Sequence, residues 1–226
     1  MGTQKYTVLI AKKPPDIKSV WDGVAWENVP ALEISCYRPE GSAHRPITQC
    51  KLLYDQNRIY GIFRVQDQFV RCVHTGFQSE VYRDSCVEFF VQPKTTSGYF
   101  NFEFNCGGAL LAYYITDPTR IGGSVKEFAP LTSEDDLQIR RYTNLPPIVE
   151  PEITRQITWF LGFSIPFAVL EKYAGALAEL SGQTWRANFY KCGNETSQPH
   201  WASWSPISEL NFHLPDNFGE IEFDPQ

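Results

Sequence analysis

The 226-residue chain sets 20 Lys and Arg against 26 Asp and Glu, a net charge of −6, and has no basic run, which argues against nucleic acid and anionic membrane surfaces as partners. No apolar stretch approaches the ~20 residues that span a bilayer, and "TVLIA" is too short for a signal-peptide core, so a cytoplasmic protein or a mature exported one without its signal is expected. Length and a 42% hydrophobic content suit one self-sufficient domain over 1–226, while an aromatic content of 15% exceeds what core filling usually requires.

In chain order, extended segments are expected at Ala31–Tyr37, Lys51–Tyr54, Ile59–Asp67, Cys86–Gln92, Tyr99–Cys106, Ala109–Ile115, Leu137–Tyr142, Thr154–Ser164, Thr184–Cys192 and Gly219–Phe223. Each combines β-branched and aromatic enrichment with period-two alternation and bounding turn residues. "YDQNRIYG" reads as a hairpin turning at Asp55 and Asn57. One short helix is expected within "SIPFAVLEKYAGALAEL", with Ser164 as cap, Pro166 in the first turn and Phe167, Leu170, Tyr173, Leu177 and Leu180 on one side. "SEDD" at Ser133–Asp136 reads as a solvated turn, and Asn144–Pro151 and Gly193–Pro199 as long loops. Many short strands with little helix predict an all-β fold, a two-layer antiparallel β-sandwich of jelly-roll type with one short helix. The six cysteines lack zinc spacing and are expected as buried free thiols. The four histidines are scattered along the chain and are expected at the surface or in hydrogen bonds.

"EFFVQPKTTSGYFNFEFNC" carries the functional signal. If Phe100, Phe102 and Phe104 face the core, Asn101, Glu103 and Asn105 share the opposite face, and Glu88 and Gln92 join them from the preceding strand across "PKTTSG". A solvated sheet face explains such a patch in ordinary terms. Yet Asn is depleted from strands, and carboxylates with carboxamides are the groups that grip vicinal hydroxyls. A sugar also needs flat aromatic platforms. Tyr82, Trp201 and Phe212 are candidates, whereas Trp204 sits in a strand-like context and is expected in the core.

"LLYDQNRIYGIFRVQD", "VYRDSCVEFF", "YFNFEFNCGG" and "SWSPISELNFHLPDNFG", in that order and after the opening "VWDGVAWENV", resemble the family 9 carbohydrate-binding modules over most of the chain. The resemblance implies a β-sandwich that binds a sugar, often a chain end, between two rings, here Tyr82 and Phe212. It implies Glu88 and Asn105 as the acid and amide that meet hydroxyls. It places a basic position of the family on Glu103 and a further amide position on Tyr190. Tyr and Phe stand where members often carry Trp, and an acid stands at an Arg-like position, which implies a different sugar or a lost site. Some members hold structural calcium; no cofactor is expected here and no residue is assigned to calcium.

The leading expectation is therefore a non-catalytic module with a carbohydrate ligand, and whether it serves within a glycoside-active enzyme system stays open. Two alternatives remain. Glu88 and Glu103 on adjacent strands could act as the acid and base of a glycoside-processing enzyme, although no nucleophile motif or His pair with metal spacing accompanies them. A sandwich that has lost sugar binding and contacts another protein would instead show a flat or convex hydrophobic patch.

Overall fold

The structure is a computed structural model that describes residues 3–18, 21–95 and 98–225. Thr96 and Ser97 of the expected "PKTTSG" connection, and Val20 at the start of "VWDGVAWENV", lie outside the described residues. The elements in chain order are β1 (Lys5–Ile10), β2 (Leu32–Glu33), β3 (Cys36–Tyr37), β4 (Ile47–Tyr54), β5 (Arg58–Asp67), β6 (Val70–Cys72), β7 (Cys86–Gln92), β8 (Tyr99–Asn105), β9 (Leu110–Ile121), β10 (Ser124–Pro130), α1 (Ser133–Gln138), β11 (Arg140–Thr143), β12 (Val149–Ile153), β13 (Ile157–Pro166), α2 (Phe167–Ala174), β14 (Thr184–Cys192), β15 (Trp201–Ser203) and β16 (Gly219–Phe223).

The order β10-β9-β8-β7-β14-β16 makes one layer and β4-β5-β13-β11 the other. β1 joins them: Lys5 to Val8 run parallel to β16, and Leu9 and Ile10 run parallel to β4. A strand that changes sheets midway lets the two layers share an edge and close over one core. The result is the expected antiparallel-rich β-sandwich.

The alternation in β7 and β8 builds that core. Val87, Phe89, Val91, Phe100, Phe102 and Phe104 are all fully buried. Phe89 stacks on Phe189 of β14 at 5.1 Å, and Phe163 of β13, from the other layer, stacks on Phe89 at 5.7 Å and on Phe104 at 5.4 Å. Each such ring stabilises the fold by roughly 2–3 kcal/mol through its removal from water. Trp204 is buried in the same core, and all six cysteines are free thiols, five of them buried.

Several local expectations are corrected. "TVLI" at the start of the chain belongs to a strand in the middle of the fold, not to an unassigned apolar stretch. "SEDD" is not a solvated turn but α1, closed by a capping box in which Thr132 and Asp135 bond each other's backbone N–H, and Asp135 is buried beneath Lys172 and Tyr173. Leu137 and Gln138 consequently belong to helix, and the expected strand there begins at Arg140. The second helix is shorter than its apolar spacing suggests. β13 runs through Pro166, and α2 ends at Ala174 before Gly175, whose φ of 73° only glycine adopts freely. The segment read as a loop at Asn144–Pro151 contains the start of β12, which pairs with β6.

The face of β7 and β8 opposite the core is not turned to water either. Phe90, Tyr99 and Tyr190 on that face meet Ile115, Val125, Ile207 and Phe218 in a second apolar cluster. The β9–β10 hairpin and the segment between β15 and β16 supply its cover, so the patch of acids and amides lies at the bottom of a recess.

Candidate binding groove

Strand register assembles the floor of this recess. Across the sheet, Leu111, Glu103, Glu88 and Tyr190 form one row, and Tyr113, Asn101, Phe90 and Asn188 form the next. Glu88 and Glu103 are therefore directly opposed on neighbouring strands. Opposed residues in an antiparallel pair have Cβ atoms about 4.5–5.5 Å apart. The groove above them has a volume of about 520 Å³. Its floor includes Glu88, Phe90, Asn101, Glu103 and Leu111, and its walls carry Tyr82, Tyr113, Phe128, Trp201 and Phe212.

The floor is almost closed to solvent: Glu88 is 2% exposed, Asn101 1% and Glu103 5%. Asn101 is held from both sides, accepting from the Tyr113 backbone N–H at 2.7 Å and donating to Glu103 Oε1 at 2.7 Å. The Cys192 thiol donates to Glu88 Oε1 at 3.2 Å. The second oxygens, Glu88 Oε2 and Glu103 Oε2, are buried and have no hydrogen-bond partner among the described residues. A buried polar atom without a partner is costly, and natural proteins keep few of them.

Burial sets the charge state of this pair. Desolvation pushes the Glu88 carboxyl well above the usual carboxylate range, and the neighbouring Glu103 adds to the push. Burial raises Glu103 to about 7, against the opposing pull of its Asn101 hydrogen bond and of Arg120. Two like acids this close do not ionise together at neutral pH. The floor then offers one carboxyl O–H donor beside carboxylate acceptors.

The aromatic walls rest on short, well-anchored segments. Tyr82 lies on a 3₁₀ turn over Val81–Arg83, pinned by buried Val81, and its hydroxyl donates to Glu80 at 2.9 Å. The Gly193–Pro199 loop is tied to that turn, with Glu195 N–H donating to Arg83 O at 2.8 Å, and Arg83 and Glu195 also form an ion pair. Trp201 follows this loop and is oriented by Asn194, which accepts from its indole N–H at 2.7 Å. Phe212 stacks face to face on Tyr190 with centroids 4.0 Å apart, and the Tyr190 hydroxyl donates to the Phe212 carbonyl at 2.9 Å.

Of the residues singled out from sequence, the structure brings Tyr82, Glu88, Asn101, Glu103, Trp201 and Phe212 together around the groove. Tyr190 and Asn105 stand apart from it. Tyr190 is fully buried under Phe212 and supports that ring from behind. Asn105, also fully buried, donates to the His74 carbonyl at 2.7 Å and to Asp84 at 2.9 Å, and accepts from Ala109 N–H at 2.9 Å. Its hydrogen-bonding capacity is spent on joining loops. Tyr113, Arg120 and Phe128 also line the groove and were not among the expected site residues: Tyr113 lies within the expected strand Ala109–Ile115 but was given no role, and Arg120 and Phe128 lie beyond its end, where no strand was expected. The histidines, scattered along the chain, converge in one pair: the His44 and His200 rings meet at 5.1 Å.

Among the described residues, Cys86, Glu88 and Cys192 form a buried group whose ligand atoms lie within 4.8 Å of one another. Two thiols and one carboxylate suit a thiophilic ion; calcium takes oxygen ligands.

The family model for carbohydrate-binding family 9 matches residues 20–223. Among solved structures, a candidate carbohydrate-binding protein from Bacteroides uniformis superimposes with a TM-score of 0.84 at 26% identity, covering 99% of this chain and 100% of that one. A family 9 carbohydrate-binding module from Caldicellulosiruptor kristjanssonii, in complex with glucose, gives 0.65 at 14% identity over 99% of this chain and 97% of its own. The complex of such a module from the same organism with cellotriose gives 0.64 at 14% identity over 99% and 95%. A comparison with curated proteins found no match.

Proposed function

The chain belongs to carbohydrate-binding family 9, and from that premise we propose that it is a single non-catalytic module that holds a sugar in the groove over Glu88 and Glu103. The observation that carries this reading is the pair of partnerless buried oxygens, Glu88 Oε2 and Glu103 Oε2, beneath a ring of aromatic walls. Sugar hydroxyls both donate and accept, so they partner the carboxylate oxygen and the carboxyl O–H alike, and the C–H faces of a pyranose ring suit the flat walls. Tyr82, Trp201 and Phe212 act as the platform, Asn101 orients Glu103, and Tyr190 braces Phe212. The glucose and cellotriose complexes of the Caldicellulosiruptor modules support a polyol as the ligand class.

Titration calorimetry of the purified chain with mono- and disaccharides tests the reading. Tyr82→Ala and Trp201→Ala are each expected to weaken binding by about tenfold, the loss of roughly 1–2 kcal/mol of ring contact. Unchanged affinity in both variants, with the fold intact by circular dichroism, would remove the aromatic walls from the site.

The register opposition of Glu88 and Glu103 is the one feature that favours catalysis as a second reading. Turnover of any glycoside in a panel, abolished by Glu88→Gln, would replace the binding reading with that one.

A further inference from the structure

Building on the sugar-binding reading, we propose that the groove selects sugars that carry a protonated amine over their neutral counterparts. Its floor presents two opposed carboxyl groups, each with one partnerless buried oxygen. Among the described residues, no Lys or Arg forms an ion pair with either acid. Arg120, at the rim, gives a guanidinium hydrogen bond to the Gly123 carbonyl in its own hairpin. His213 supplies no positive charge at neutral pH, because burial lowers it to about 3, with Arg120 adding to the effect.

The walls match this floor. The cation–ring contacts of the described residues fall on Tyr37, Trp21 and Tyr173, so the groove rings Tyr82, Tyr113, Trp201 and Phe212 have no side-chain cation over them. Aromatic faces around buried carboxylates are the surroundings in which ammonium groups bind. An ammonium offers three donors and a full positive charge, enough to serve both orphaned oxygens on these opposed residues and to favour ionisation of the acids. A hydroxyl offers a single donor and no charge, and leaves only the partial pull of Arg120 on Glu103 and of Lys191 on Glu88 against the burial of the pair.

The test measures affinity by calorimetry at pH 6 for three matched pairs: glucose and glucosamine, galactose and galactosamine, mannose and mannosamine. Each N-acetylated amine serves as the uncharged control of similar size. At least one amine is expected to bind about tenfold or more tightly than its neutral partner, a difference typical of one charge-assisted contact. Acetylation is expected to erase that advantage, and Glu103→Gln to reduce it. Amines and neutral sugars binding equally would overturn the preference and leave the sugar-binding reading standing. The absence of binding by all nine monosaccharides would overturn the preference, and failure of the disaccharides as well would overturn the sugar-binding reading.

Discussion

Glu88, Glu103 and Asn105 share one face of one hairpin, yet they do different things. Alternation in "CVEFFVQ" and "YFNFEFN" places all three on that face. It carries no information about Asp84 and His74, which come from an earlier loop and consume the Asn105 amide. What distinguishes a ligand-facing amide from a structural one is its set of remote partners, and those exist only after folding. Asn105→Ala should leave Asp84 and the His74 carbonyl each short of a donor. It is expected to lower stability by about 2–3 kcal/mol in urea unfolding without changing sugar affinity in the folded fraction. Glu103 makes a pH-dependent contribution. Its carboxyl is raised to about 7 in the folded protein, from an ordinary value of 4.5. The folded state holds this proton more tightly than the unfolded one, so the contribution is full below pH 4.5 and is lost as pH climbs through about 7. Glu103→Gln mimics the protonated acid. Relative to the wild type it should gain stability between pH 4.5 and pH 8, by at most about 3 kcal/mol. Parallel pH dependences of the two proteins would show that Glu103 is not held protonated.

At the level of whole elements, the β9–β10 hairpin shows where sequence reading ends too early. β9 pairs with β8 only as far as Ile115 opposite Tyr99; beyond that point the two arms of the hairpin pair with each other alone. Asp117 and Pro118 are residue types depleted from strands, and they fall beyond the last pair with β8, where the N–H that Pro118 lacks costs no bond to that strand. The signal that the hairpin continues was present in "IGGS", a two-glycine turn between extended arms. Gly122 and Gly123 adopt φ values of 60° and 90°, conformations costly for any residue with a Cβ. The outer arm carries Arg120 and Phe128 to the groove rim but adds little to the main core. Gly123→Ala should therefore act locally, at about 1–2 kcal/mol on the arm. Amide exchange at Thr116 to Ile121 is expected to quicken and sugar affinity to fall, with the melting temperature of the domain nearly unchanged.

For the molecule as a whole, the two-layer plan was legible in the sequence because strand periodicity and a phenylalanine-rich face are local signals. The chemistry that fastens the layers at one end was not, because it gathers residues far apart in the chain. Asp67 on β5 and Lys191 on β14 are both fully buried, 3.5 Å apart across the two layers. His44 bonds Asp67 at 2.8 Å, and His200 bonds Lys191 at 2.8 Å. Burial alone would raise Asp67, but Lys191 and the two histidines outweigh it and hold the carboxyl down at about 2. Asp67→Asn would strand the Lys191 charge inside the sandwich, and a loss of roughly 3–5 kcal/mol is expected in chemical unfolding. The same cluster shapes the response to acid. Burial, reinforced by Lys191, lowers His200 to about 3 from an ordinary 6.5. The unfolded chain therefore takes up this proton first. Its contribution to stability is whole above pH 6.5 and drains away as pH falls toward 3. Buried His213 behaves in the same direction, whereas Glu88 and Glu103 oppose it only above pH 4.5, where the unfolded chain releases their protons. Melting temperatures of the wild type and of His200→Gln, which keeps a polar side chain but cannot charge, separate these effects. The variant should lose less stability than the wild type between pH 6.5 and pH 3, and identical acid limbs would mean that His200 reaches its proton without opening the seam between the sheets.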